Sequence, residues 1–270
     1  MSTRKEILDK QNLIKENQHK IYEKGRQDYW SDFWDAYYGN RTWGYPSGIY
    51  LFGGAGWNDD NFYPKSKDVM CAGSMQSVFA YNQCTNLKQR LEECGVRLVG
   101  TEGTGITTLN TCFLGCETSE LPSNDFFVNV RQSTSKALDI SRFAESCKKI
   151  TSVPYYYFFA NATNYNGAFN QCTQLETVEG IDFSSSTNNS NVFKSCSKLK
   201  NITVYGTINV TISFSDSPLL THDSLMNVID ALKDYSGTTT TQVLDLHDDS
   251  IAILTESEKK IAEQKGWTIA

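Results

Sequence analysis

The sequence predicts an α+β repeat fold. Short units stack into a solenoid, an N-terminal helix and an aromatic, glycine-rich segment precede them, and an α/β cap closes the far end. Three observations predict this. An aromatic, a Cys, a Leu and a Val or Ile recur at offsets −3, 0, +3 and +6 from successive cysteines. Ahead of the first repeat the chain changes abruptly from a charged run to a stretch dense in Trp, Tyr and Gly. After the last repeat come helix start and stop signals that the repeats lack. The expected boundaries are 1–28 for the helix, 29–70 for the aromatic segment, 71–216 for the repeats and 217–270 for the cap.

The repeat is clearest in its last two copies. Gly167-Ala-Phe169-Asn-Gln-Cys172-Thr-Gln-Leu175-Glu-Thr-Val178 aligns with Asn191-Val-Phe193-Lys-Ser-Cys196-Ser-Lys-Leu199-Lys-Asn-Ile202. Phe169, Cys172, Leu175, Val178, Phe193, Cys196, Leu199 and Ile202 are therefore the expected repeat core. The frame extends to Cys147 with Ile150 and Val153, although Phe143 stands one residue early. It extends to Cys84 with Tyr81 and Leu87, and to Cys116 with Phe113 but with Ser119 in the leucine's place. The anchors Cys84, Cys116, Cys147, Cys172 and Cys196 are 32, 31, 25 and 24 residues apart. The last intervals fall in the roughly 20–29 residue range of leucine-rich repeats, and the earlier ones imply insertions. A unit this short cannot bury its own apolar face, so each must stack on the next.

This frame resembles the BspA-like leucine-rich repeat family, whose units carry an aromatic, then x-x-Cys-x-x-Leu, then a short strand. The resemblance covers about Ser74 to Asp216. It implies a leucine-rich-repeat-like solenoid acting as a scaffold, in which the recurring residues are core and none is catalytic.

The chain has eight cysteines, and other uses of them are weaker. Cys112 and Cys116 form the one close pair, and neither a second pair nor a neighbouring His completes a zinc site. A chain of 270 residues needs no disulfide staples to form a core. No histidine or cationic setting is placed to lower a thiol pKa, so a nucleophilic Cys is not expected. Cysteine suits a stacked ladder as a small hydrophobe with a weak donor, and Cys71, Cys94 and Cys112 are left unassigned. Asp245, Asp248 and Asp249 read as an acidic loop ahead of a helix, since EF-hand spacing is missing. Gly53-Gly-Ala-Gly56 lacks the Gly-Lys-Ser/Thr of a phosphate loop. Asp59, Asp60 and Glu102 are carboxylates tied together by no motif. No metal, cofactor or catalytic residue is implied.

In the cap, Thr221 is placed to start a helix to about Asp234, with Leu225, Val228, Ile229 and Leu232 as its apolar stripe and Gly237 beyond its end. Gln242–His247 alternates as a strand. Thr255-Glu-Ser-Glu258 is a capping box that opens a helix ending at Gly266, and Trp267–Ala270 reads as a last strand.

At the other end Ile7, Ile14 and Ile21 stand at heptad spacing with polar residues at d, a weak coiled-coil seam that points to self-association. Between Tyr29 and Tyr63 the aromatics cluster. Trp30, Trp34, Trp43 and Trp57 among them read as a subunit interface or a glycan-binding face, because exposed Trp and Tyr stack on sugar rings. The phrases "FWDAYYGNRT", "GWNDDNFYPK", "LTHDSLMNVIDALKDYSG" and "LTESEKKIAEQKGWTIA" resemble repeat proteins encoded in phages and prophages of gut Firmicutes. That resemblance implies a virion, with a trimer by analogy to phage fibres.

Composition narrows the function further. The 25 Lys and Arg against 31 Asp and Glu leave a formal charge of −6, without the basic field that holds phosphate backbones, so nucleic acid is not an expected partner. No apolar run approaches the roughly 18–20 residues of a membrane span, and the N-terminus shows no signal-peptide core, so membrane insertion and Sec export are not expected. The expected function is a non-enzymatic phage or prophage virion structural protein, a tail, baseplate or fibre component. It would be attached by its N-terminal part and project the solenoid toward host-surface glycan or protein. Its partners would be its own copies and other virion proteins, and it would be assembled in the host cytoplasm. The alternative is a bacterial surface leucine-rich-repeat adhesin, which needs an export route. A virion-borne glycan hydrolase would need a carboxylate pair that no motif supplies.

Overall fold

A computed structural model describes residues 68–71, 74–100, 105–130 and 137–270, the first of these by backbone alone. They form a mixed α/β fold with several small sheets, and every strand pairing is parallel. In chain order come β1 (Asp68–Cys71), α1 (Leu87–Glu93), β2 (Arg97–Gly100), β3 (Phe127–Val128), β4 (Leu138–Asp139) and β5 (Ser152–Val153). Then follow β6 (Ala162–Asn164), β7 (Thr177–Asp182), β8 (Asn201–Tyr205) and β9 (Ile212–Phe214). The last elements are α2 (His222–Ala231), β10 (Gln242–Leu246), α3 (Asp248–Ile253), α4 (Glu256–Gln264) and β11 (Trp267–Ile269). The sheets run β1-β2-β3, β4-β6, β5-β7-β8 and β9-β10-β11.

Parallel neighbours require a crossover between strands, and within the repeats each crossover includes a turn of constant length. Residues 74–82, 108–116, 139–147, 164–172 and 188–196 make five nine-residue turns that lie side by side. Their register is fixed by backbone bonds from one turn to the next. Phe79 N–H donates to Cys112 O (2.8 Å), Phe113 N–H to Phe143 O (2.7 Å), Ala144 N–H to Ala168 O (2.8 Å) and Phe169 N–H to Val192 O (3.0 Å). All the variation in repeat length falls outside these nine residues.

Sequence chemistry sets the turn. Its first position is Ser74, Thr108, Asp139, Asn164 or Asn188, and each side-chain oxygen accepts the N–H two residues on, at 2.9–3.4 Å. These residue types favour such a local loop over a regular ladder. The fourth and eighth positions are left-handed in every copy: Ser77 and Tyr81, Thr111 and Gly115, Arg142 and Ser146, Gly167 and Gln171, Asn191 and Ser195. A left-handed residue with a side chain costs about 1–2 kcal/mol. The bonds between turns hold that geometry, since the eighth residue's own N–H donates onward, Gln171 to Lys194 O at 2.8 Å for example.

The sixth position points inward. Phe79 stacks on Phe113 at 5.1 Å and Phe169 on Phe193 at 5.9 Å, each pair nearly parallel. In the third turn Ala144 takes this place, and Phe143, one residue earlier, fills the gap edge-on against Phe113 (5.3 Å) and Phe169 (6.3 Å). This accounts for Phe143's early placement. It also assigns Cys112, which occupies the fifth position with Val78, Phe143, Ala168 and Val192, all buried. Insertions between turns add Phe126, Phe127, Tyr156, Phe158 and Phe159 to the same core.

One expected anchor moves. Register pairs Cys116 with Asn82, not Cys84, so the first turn carries a buried amide where the others carry a thiol. Asn82 Oδ1 accepts the Cys84 N–H at 2.8 Å, and the Cys84 thiol donates to Asn86 Oδ1 at 3.0 Å. A sixth unit, Phe214-Ser-Asp-Ser217-Pro-Leu-Leu220, keeps the aromatic and leucine offsets with serine in the cysteine's place. Phe214 stacks on Phe193 at 5.4 Å, and the buried Ser217 donates to Cys196 O at 3.3 Å.

The C-terminal part follows its local signals. Thr221 caps α2 by accepting the Ser224 N–H, and α2 ends at Ala231, short of Asp234, because Leu232 turns extended. The Thr255–Glu258 capping box opens α4. Asp248 and Asp249 lie in the first turn of α3 and Asp245 in β10, so the three do not share the expected loop. His247 caps α3 through Nδ1, which accepts the Asp249 N–H at 3.1 Å, a role serine or aspartate more often fills.

Candidate functional site

The thiols are the first candidates, and the turns convert them into internal donors. Cys116 Sγ donates to Phe79 O and Cys147 Sγ to Phe113 O at 2.9 Å, and Cys172 Sγ to Ala144 O and Cys196 Sγ to Phe169 O at 3.2 Å. Each thiol thus reaches the carbonyl three residues before the anchor of the preceding turn, a carbonyl that already accepts that anchor's own N–H. Burial holds the Cys112, Cys116 and Cys172 thiols well above their ordinary range and pushes Cys196 up to about 12. Cys94, half-exposed after α1, is raised by burial and then by the Glu93 carboxylate. Reactive thiols need the opposite shift. Cys94, Cys112, Cys116, Cys147, Cys172 and Cys196 form no disulfide among the described residues.

Of the expected repeat core, Phe169, Cys172, Leu175 and Val178 and their counterparts Phe193, Cys196, Leu199 and Ile202 are buried. Val178 and Ile202 face each other across β7 and β8. Ile7, Ile14, Ile21, Trp30, Trp34, Trp43 and Trp57 lie outside the described residues, as do Gly53–Gly56, Asp59, Asp60 and Glu102. Among the described residues no group of three His, Cys, Asp or Glu side chains is placed to hold a metal ion, and no helix is long and apolar enough to cross a membrane.

Three surface features remain. The exposed rings of Tyr155 and Tyr205 meet edge to face at 5.3 Å over Gly180 of β7, where an added Cβ would lie 2.5 Å from Tyr205 Cε2. Tyr205 thereby fills the gap left by a glycine within a strand, a packing role. A cleft of about 270 Å³ beside α1 is bridged by Lys88 Nζ and Glu120 Oε2 at 2.7 Å. That hydrogen bond raises the Lys88 pKa against the lowering effect of burial.

The third feature is a groove of about 340 Å³ between the fifth turn and the strand that follows it. Asn191, Phe193 and Lys194 line one wall. Ser213, Ser215, Asp216 and Asp245 line the other. Ser213 Oγ donates to Asp245 Oδ2 at 2.6 Å and shares a 2.9 Å bond with Ser215 Oγ. Asp216 Oδ2 accepts the Ser195 N–H at 2.8 Å. The wall mixes carboxylates, hydroxyls and an ammonium. No motif announced it, because its residues come from three separate segments of the chain.

No family model, curated protein or solved structure matches this chain.

Proposed function

We propose that the chain is a non-enzymatic structural protein of a phage or prophage virion, a tail, baseplate or fibre component. In this reading residues 71–216 are a BspA-like leucine-rich-repeat solenoid that meets the host surface, and residues 1–70 attach it and join it to further copies of itself. The observation that carries the scaffold half is the nine-residue turn repeated five times in one register, with thiols used as hydrogen-bond donors. Stacked repeats expose broad polar faces suited to binding. The exposed and part-exposed Ser, Thr and Asn residues of these turns, such as Asn166, Ser190 and Asn191, supply hydroxyl and amide groups for such a face. The phage-like phrases flanking the repeats carry the virion half, and the scaffold alone would serve an adhesin equally well.

The test is physical. Particles released by induction from cells that carry the gene are banded by density, and their proteins are identified by mass spectrometry. The expected result is this chain in the particle band at a fixed ratio to the major tail protein. Its absence from particles, with recovery on the surface of uninduced cells, would overturn the virion assignment in favour of the adhesin.

A further inference from the structure

The ladder of backbone bonds that joins the turns stops after the fifth. In each earlier turn the N–H at the fourth and sixth positions donates to the next turn, as Gly167 does to Ser190 O and Phe169 to Val192 O. The equivalent donors in the fifth turn are Asn191 and Phe193, and neither finds an acceptor among the described residues. The cause is local. The chain that should form a sixth turn is instead strand β9, whose partner is β10, with Ile212, Ser213 and Phe214 opposite Leu244, Asp245 and Leu246. The core stays closed below, where Phe193 and Phe214 stack, so the two segments diverge only above it. The 340 Å³ groove is this wedge, and the unpaired donors point toward it, since that is the direction in which their counterparts donate. Phe193 is 1% exposed, so its N–H is a buried donor with no protein partner, a costly arrangement unless something else accepts from it.

We infer that this groove binds a neutral sugar residue through the Asn191 and Phe193 N–H groups on one side and the Asp216 and Asp245 carboxylates on the other. Charge selects the ligand class. A cation would meet two N–H donors and the Lys194 ammonium, and an anion would meet two carboxylates. A polyhydroxyl ring satisfies both walls, because each hydroxyl donates to a carboxylate and accepts from an N–H. Asp216 and Asp245 each keep one carboxylate oxygen outside the bonds they make to Ser195 and Ser213. The volume lies at the small end of the roughly 300–1,000 Å³ of small-molecule sites. The inference deepens the host-surface reading and rests on it only for the source of the sugar.

Saturation-transfer NMR on the full chain with methyl α-D-glucopyranoside, methyl β-D-galactopyranoside and N-acetylglucosamine tests it. Saturable transfer to at least one of the three is expected. It should weaken at least tenfold in Asp216→Asn/Asp245→Asn, a pair that keeps acceptors for Ser195 and Ser213. Should that pair fail to fold, Ser215→Gln, which fills the groove from its part-exposed rim, should give the same loss. No transfer to any sugar, or transfer undiminished in a folded variant, would overturn the site. So would calorimetric binding of calcium or inorganic phosphate that the same variants abolish. Failure here leaves the virion assignment standing, because the particle experiment does not depend on the groove.

Discussion

Alkaline pH should destabilise this chain through its buried thiols. A group whose folded pKa is raised stabilises the fold fully below its unfolded value and loses that contribution as pH climbs toward its folded value. For Cys196 these limits are 9.0 and about 12, so its window lies between them. At about pH 10 the unfolded thiol has mostly released its proton while the folded one has not, a difference of about 1.4 kcal/mol. Cys112, Cys116 and Cys172 are raised in the same direction by the same cause. Each therefore adds to the loss of stability in the alkaline range, in the same direction as Cys196. The assay is urea unfolding at about pH 7 and pH 10 under reductant, for the native chain and for Cys196→Ser, which removes the thiol expected to account for about 1.4 kcal/mol of the pH effect. Lysine and tyrosine titrations are common to both proteins and cancel. The variant should be weaker at neutral pH yet lose about 1.4 kcal/mol less on the shift. Equal losses would refute the thiol ladder as the source of the pH dependence.

Gly115→Ala places a Cβ 2.7 Å from Tyr81 Cδ1 at a φ of +64°, so calorimetry should show a loss of about 1–3 kcal/mol. Adding Tyr81→Ala should recover the steric part alone, and an unchanged melting temperature in the single variant would contradict the register of the first two turns. Removing residues 1–28 should convert an oligomer to a monomer by light scattering, whereas an unchanged mass would exclude the isoleucine seam as the contact.

The sequence revealed the repeat where its core side chains are large and regular, as at Phe169, Cys172 and Leu175. It misled where chemistry and register part company. Cys84 carries the expected residue type, but the anchor is Asn82, whose amide meets a local N–H that a thiol cannot accept as well. Ser217 was invisible for the converse reason, since its hydroxyl bonds to the preceding layer at the Cys196 carbonyl without matching the motif. The left-handed positions were equally hidden. Arg142, Ser146 and Gln171 have no local preference for that conformation and adopt it because neighbouring turns hold them there. Local chemistry sufficed in the cap, where Thr221 and the Thr255–Glu258 box bond their own helices.

The same physics explains why a binding site would arise where the register breaks and not along the repeats. Inside the stack each turn's donors face the next turn's carbonyls, so the backbone satisfies itself and leaves only side chains for a partner. A turn replaced by a strand removes one set of acceptors without removing the donors opposite, because the strand's own bonds are directed at β10. Asp216 compensates for one of them by reaching the Ser195 N–H, and the fact that a carboxylate is used there shows how strongly that edge attracts an acceptor. Asn191 and Phe193 have no such substitute. Restoring a turn in place of Ile212–Phe214 would therefore close the groove and bind the two donors internally, whereas changes in the interior turns would alter stability and leave the groove's recognition chemistry intact.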